Sequence, residues 1–98
     1  MFYVYILQSD NIKRLYIGKT VNLKRRLNEH NAGQNVSTKA YIPWTLIFYE
    51  AYIKSSDASR REKYLKTTQG HQAIRRMLRD YLQASCSDIH FEHQGSTT

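Results

Sequence analysis

Acidic residues are scarce in this 98-residue chain: eight Asp and Glu stand against fifteen Lys and Arg, a formal net charge of +7. The shortage is sharper over most of the length. All 15 basic residues fall between Lys13 and Arg79, and residues 1–82 hold only 6 acidic side chains against them, a net charge of +9. Such an excess attracts polyanions through phosphate neutralisation and counterion release; a solvated basic surface with no specific partner is the plainer alternative. Cysteine is limited to Cys86, which excludes an internal disulfide and fits a free thiol in a reducing cytoplasm. No apolar run approaches the ~18 residues needed to span a bilayer, so no membrane partner is expected. Met1 leads straight into Phe2-Tyr3-Val4-Tyr5, so a signal peptide is not expected either. There is no internal repeat, and the length suits one compact domain with a modest core.

Tyrosine, by contrast, is abundant, with eight copies. Tyr3, Tyr5, Tyr16, Tyr41, Tyr49 and Tyr52 lie in or near strand-like stretches, where a buried ring packs and its hydroxyl finds a partner. Residues 2–8 are β-branched and aromatic and read as a strand that is apolar on both faces, so both faces should be covered. Ser9-Asp10-Asn11 marks a turn into a second strand, Leu15 to Gly18. Asn22 is placed to cap a helix whose apolar stripe is Leu23 and Leu27 and which ends at Asn31-Ala32-Gly33. Residues 34–43 are polar and close on Pro43, the pattern of an exposed loop. Trp44 to Tyr52 reads as a third strand. Ser55-Ser56-Asp57 offers caps for a helix from about Ala58 to Thr67, Gly70 interrupts, and Ile74, Met77, Leu78, Tyr81 and Leu82 trace one more helical stripe. The order β-β-α-β-α-α predicts an α+β fold, a small three-stranded antiparallel sheet flanked by helices. The domain is expected over residues 1–84, with residues 85–98 a flexible tail.

Some residues sit where packing alone would not put them. Arg26 and His30 are four apart and stack on one face at the margin of the first helix's apolar stripe. Packing accounts for them as a guanidinium snorkelling from the core edge and a hydrogen-bonded ring; the alternative is a cation and an imidazole presented to a ligand. Glu62 lies on the buried side of its helix, where a carboxylate needs a salt bridge or a metal ion. Mg²⁺ often takes only one or two carboxylates and keeps its waters. Tyr16 and Gly18 share one strand face, and Gly18 lets a backbone or ligand approach closely. Tyr16 as a core aromatic and Lys19 as a solvated charge are the plainer alternatives.

Tyr3-Val4-Tyr5, followed by Tyr16-Ile17-Gly18, resembles the paired tripeptides of the GIY-YIG nuclease superfamily. The run from Lys19 to Asn31, with Arg26 and His30, is similar to that family's first helix. Ser37-Thr38-Lys39 before a Pro-Trp and a strand fits as well, and Arg61 to Lys66 resembles the segment bearing the family's metal-binding glutamate. The resemblance covers roughly residues 2–82 and is strongest to short, stand-alone members. It implies a metal-dependent endonuclease that hydrolyses phosphodiester bonds in DNA with weak or structure-based specificity, in repair or recombination. Tyr16 would be the catalytic tyrosine, Tyr5 and His30 supporting groups, Arg26 the stabiliser of the phosphate's developing charge, and Glu62 the ligand of a single Mg²⁺ or Mn²⁺. Lys19, Lys24, Arg25, Lys39 and Arg61 would contact nucleic acid, with DNA the expected partner, RNA open, and another protein supplying specificity. A tyrosine is a poor base at neutral pH, so this chemistry needs positive surroundings, which Lys19, Arg26 and a cation would supply. Two departures stand out. The first tripeptide lacks its Gly-Ile, and no asparagine follows the glutamate helix, where Gln69 and His71 are the candidates to replace it. The other reading that the residues allow is a nucleic-acid-binding module with little turnover.

Overall fold

Both faces of the first strand are apolar, and both are covered. The computed structural model describes residues 1–85 and 90–91. In it β1 (Phe2–Ser9) lies between β2 (Arg14–Thr20) and β3 (Trp44–Tyr52), antiparallel to each. Strand side chains alternate between faces. Val4 and Ile6 therefore join Leu15 and Ile17 on one side of the sheet, while Tyr5 and Leu7 pack with Trp44 on the other. The expected α+β architecture and three antiparallel strands are present. The sheet gains a fourth, two-residue strand, β4 (His90–Phe91), parallel to β2, for an order of β3-β1-β2-β4. That strand falls within the stretch expected to be a tail; the rest of the stretch beyond Ser85 lies outside the described residues.

Helix α1 (Leu23–Asn31) covers the Tyr5 face through Leu23 and Leu27. Asn22 starts it as expected, its Oδ1 accepting from the Arg25 N–H at 3.0 Å. Its end is tied to the start of β3 by Asn31, which donates to the Trp44 carbonyl (3.0 Å) and accepts from the Trp44 N–H (2.6 Å). Residues 34–43 are not merely the exposed loop the polar composition predicts. They include a short 3₁₀ turn at Lys39–Tyr41, and Thr38 is fully buried, with the Trp44 indole N–H donating to its carbonyl at 2.9 Å.

The opposite face is covered by α2 (Ser55–Leu65), α3 (Thr68–Met77) and α4 (Arg79–Ser85) through Ala58, Leu65, Ile74 and Leu82. Here the chain departs from its local signals. Helix α2 starts at Ser55 with Lys54 as its N-cap and no side-chain cap, so the expected start at Ala58 is corrected. Asp57 sits inside the first turn, favourably placed against the helix dipole. Thr67 belongs to the next helix as its cap, accepting from the Gly70 N–H at 3.0 Å. Gly70 does not interrupt; it opens α3 where that helix crosses the end of α2. A Cβ there would strike the Tyr64 carbonyl oxygen and the Leu65 backbone. The last stripe breaks into two helices at Leu78 (φ −113°, ψ 29°). In an unbroken helix residues eight apart diverge by about 80°; the bend lets Ile74 and Leu82 enter one core cluster.

The close crossing at Gly70 sets the first expectation. Gly70→Ala should destabilise the protein by about 1–3 kcal/mol through overpacking. Exposed Gln72→Ala, on the same helix, should be within ~0.5 kcal/mol of the parent. Urea unfolding of both measures this.

Candidate active site

Tyr5 and Gly18 face each other across β1 and β2. A Cβ on Gly18 would collide with the Tyr5 hydroxyl and Cζ. The glycine is thus what allows the Tyr5 phenol to lie flat along β2 and bring its hydroxyl beneath α1. Tyr16, two residues before Gly18, shares that face; its ring centre is 6.4 Å from that of Tyr5 and 4.9 Å from that of His30. From above, Arg26 and His30, one helical turn apart, both reach the Tyr5 hydroxyl. The His30 Nε2 is 2.9 Å from it, and the Arg26 Nε donates to it over a longer 3.4 Å. On its far side the His30 Nδ1 is 2.8 Å from Thr38 Oγ1.

These contacts have a direction. A guanidinium can only donate, so the Tyr5 oxygen accepts from Arg26. The Thr38 hydroxyl donates to the Asn35 carbonyl, which leaves it to accept from His30 Nδ1 and leaves Nε2 as the acceptor of the Tyr5 proton. The imidazole then carries its proton on Nδ1 and donates to Thr38, whose hydroxyl points to the Asn35 carbonyl at 3.4 Å. Burial, reinforced by the positive charge of Arg26, lowers the His30 pKa to about 4, so the ring is neutral at pH 7. Burial also pushes the Tyr5 phenol well above the ordinary tyrosine range, with the neighbouring Tyr16 and Glu62 adding to the rise against the Arg26 hydrogen bond. Tyr5 is therefore a protonated, oriented donor. Tyr5 is 2% and His30 0% exposed, so neither offers a surface to a large substrate. Tyr16 is half-buried and Arg26 keeps 32% of its side chain exposed; these are the groups a ligand can reach.

Glu62 lies on α2, and its negative charge is a minor contributor to the raised Tyr5 pKa. Its carboxylate is paired with Lys66 at 3.1 Å, and both side chains are mostly buried. Among the described residues no cluster of three or more His, Cys, Asp or Glu is arranged to hold a metal ion. One carboxylate nonetheless fits a hard divalent cation whose other oxygens come from water and a substrate phosphate, provided Lys66 gives way.

The remaining expected contacts are dispersed. Lys19 leaves β2 on the side of Ile17, opposite Tyr16, and donates to Ser55 (3.2 Å) and Ser59 (2.6 Å) of α2. Lys24 and Arg25 are exposed on the outer side of α1, Arg25 being 3.6 Å from Glu29, which also binds Arg26 at 2.9 Å. Lys39 is exposed on the 3₁₀ turn. Arg61 turns away from Glu62 and is held by Glu50 through two hydrogen bonds of 3.0 and 3.1 Å. On α3, Gln69 is exposed and His71 half-buried. The structure thus unites Tyr5, Tyr16, Arg26 and His30, with Glu62 within electrostatic reach, and sends Arg61 elsewhere. Sequence reasoning did not single out Thr38 as a site residue. The signal was His30 itself, since a buried imidazole needs a partner for each nitrogen and the next polar segment supplies one.

The family model described as the GIY-YIG catalytic domain matches residues 1–77. Among curated proteins, a UPF0213 protein of Staphylococcus haemolyticus is 39% identical over 75 residues, covering 74% of this chain and 89% of its own length. A UPF0213 protein of Pediococcus pentosaceus is 42% identical over 67 residues, 66% of this chain and 68% of its own. One from Haloquadratum walsbyi is 36% identical over 66 residues, 66% and 73% respectively. No solved structure matches the chain.

The depressed His30 pKa carries a signed expectation. The unfolded chain binds a proton on this ring below its ordinary value near 6.5, whereas the folded protein resists until about pH 4. His30 therefore stabilises the fold above pH 6.5, and that contribution should drain away at roughly 1 kcal/mol per pH unit as pH falls toward 4. Unfolding free energies of the parent measured across this range, minus those of His30→Gln, should show that slope.

Proposed function

The chain belongs to the GIY-YIG catalytic domain family, and we propose that it is an endonuclease hydrolysing phosphodiester bonds in DNA with one divalent cation, Mg²⁺ or Mn²⁺. The observation that carries this reading is the division between two reachable groups, Tyr16 and Arg26, and the two buried ones behind them, Tyr5 and His30. Hydrolysis of a phosphodiester needs a group to activate the attacking oxygen and a cation to stabilise charge on the phosphoryl oxygens. Tyr16 supplies the first, as base toward water or as nucleophile. Arg26 supplies the second, and its Nε bond to Tyr5 fixes the plane in which its other donors face the phosphate. His30 and Thr38 hold Tyr5 in the orientation that makes this possible. Glu62 is the residue that would hold the cation, which supplies further charge neutralisation at the phosphate. DNA of irregular structure is the expected substrate, in repair or recombination, because the basic residues offer backbone contacts and no array for reading base edges. The cytoplasm is the expected compartment, and another protein the expected source of greater specificity.

A second reading, binding with little turnover, is favoured by one observation: Lys66 already neutralises Glu62. Incubation with forked, nicked and linear DNA in Mg²⁺ or Mn²⁺ separates the two. The parent should cut at least one of these, and Tyr16→Phe and Glu62→Ala should each reduce cutting by about 100-fold or more while binding is largely kept. Cutting at the parental rate by either variant contradicts the site; salt-sensitive binding with no cutting in any metal supports the second reading.

A further inference from the structure

Helix α2 carries a second feature on the flank away from Glu62. Its buried stripe is Ala58 and Leu65. At 100° per residue, Ser59 and Glu62 fall on one side of that stripe, where Lys19 binds Ser59. Arg61, Tyr64, Asp57 and Arg60 fall beyond its other side, over the edge strand β3. There they enclose, with Tyr52, a cleft of about 480 Å³. The Arg61 guanidinium lies 5.5 Å from the centre of the Tyr64 ring and is locked by its two bonds to Glu50. Tyr64 is 39% exposed and the Arg60 side chain 69% exposed, so the cleft is accessible.

The charges decide what it suits. Arg61 is matched by Glu50, and Arg60 by Asp57, whose Oδ1 accepts two bonds of 3.0 and 2.9 Å. Two guanidiniums already compensated by two carboxylates make a poor site for a bare phosphate. Two tyrosine rings and a fixed guanidinium plane make a good one for a flat, uncharged ring. The Asp57 carboxylate in its lining accepts hydrogen bonds, as carboxylates do from the amino group of cytosine. We propose that this cleft binds an unpaired, amino-bearing nucleobase by stacking, beside rather than within the catalytic site. The inference rests on the nucleic-acid reading above and deepens it: a base held on one flank of α2 while Glu62 works on the other would favour substrates with an unpaired nucleotide near the scissile phosphate.

The test is titration of the intact, ¹⁵N-labelled protein with cytidine and with uridine, followed by NMR. Cytidine should produce saturable shifts at Tyr52, residues 57–64 and the Arg61 Nε–H, bind more tightly than uridine, and hold its affinity when salt is raised several-fold. Tyr64→Ala should weaken it about fivefold or more, and Tyr64→Phe, which keeps the ring, should not. The proposal is overturned if these signals do not move, if inorganic phosphate moves them equally, or if Tyr64→Ala binds like the parent. Because the readout is binding, a protein that captures cytidine here yet cuts no DNA leaves this inference standing and overturns the endonuclease reading alone.

Discussion

One phenol hydroxyl, that of Tyr5, answers to a guanidinium and an imidazole in a place that water scarcely reaches. Leaving the buried phenol or imidazole unpaired costs about 1–3 kcal/mol, so their geometry is strongly determined. The polarity is set from the far end, where the Thr38 hydroxyl donates to the Asn35 carbonyl and so takes the His30 Nδ1 proton. Much of the local architecture serves this contact. Gly18 is bare so that the Tyr5 ring can lie on β2. Asn22 and Asn31 fix the two ends of α1, and with them the height of Arg26 and His30 above the sheet. The 34–43 segment folds inward to bring Thr38 to the second imidazole nitrogen.

The same arrangement separates roles among chemically similar groups. Tyr5 and Tyr16 are neighbours on one sheet face, yet burial holds the Tyr5 phenol protonated while Tyr16 stays within reach of a ligand. Arg26 and Arg61 are both hydrogen-bonded guanidiniums. Arg26 is shared between a phenol beneath α1 and Glu29, whereas Arg61 is held by two bonds to Glu50 of β3. On helix α2, Glu62 is paired with Lys66 while Arg61 turns to Glu50 of β3.

Much of this was legible in the residues. β-Branched and aromatic composition placed β1, β2 and β3, the last with both of its ends; the Asn22 cap placed α1; and an arginine and histidine at a core margin marked them as unusual. What escaped depends on tertiary contact. The early start of α2 and the break at Leu78 answer to packing against the sheet and not to a local cap. The glycine at position 70 reads as a breaker until a second helix is laid across it. The strand at His90–Phe91 has no signal beyond its partner, β2. For charged side chains the sequence shows the charge but not its counterpart. Lys19 meets serines 36 and 40 residues away, and Arg61 meets Glu50 across the layer between helix and sheet. Thr38 was quoted within a motif, but its buried role follows only from where His30 points.

The central claim is the direction of the hydrogen bonds running from Arg26 through Tyr5 and His30 to Thr38. Long-range ¹H–¹⁵N correlation of the His30 ring at pH 7 reads it directly. The account predicts a neutral imidazole with Nδ1 protonated and Nε2 a bare acceptor. A proton on Nε2, or a charged ring, would reverse the role of Tyr5 and contradict it.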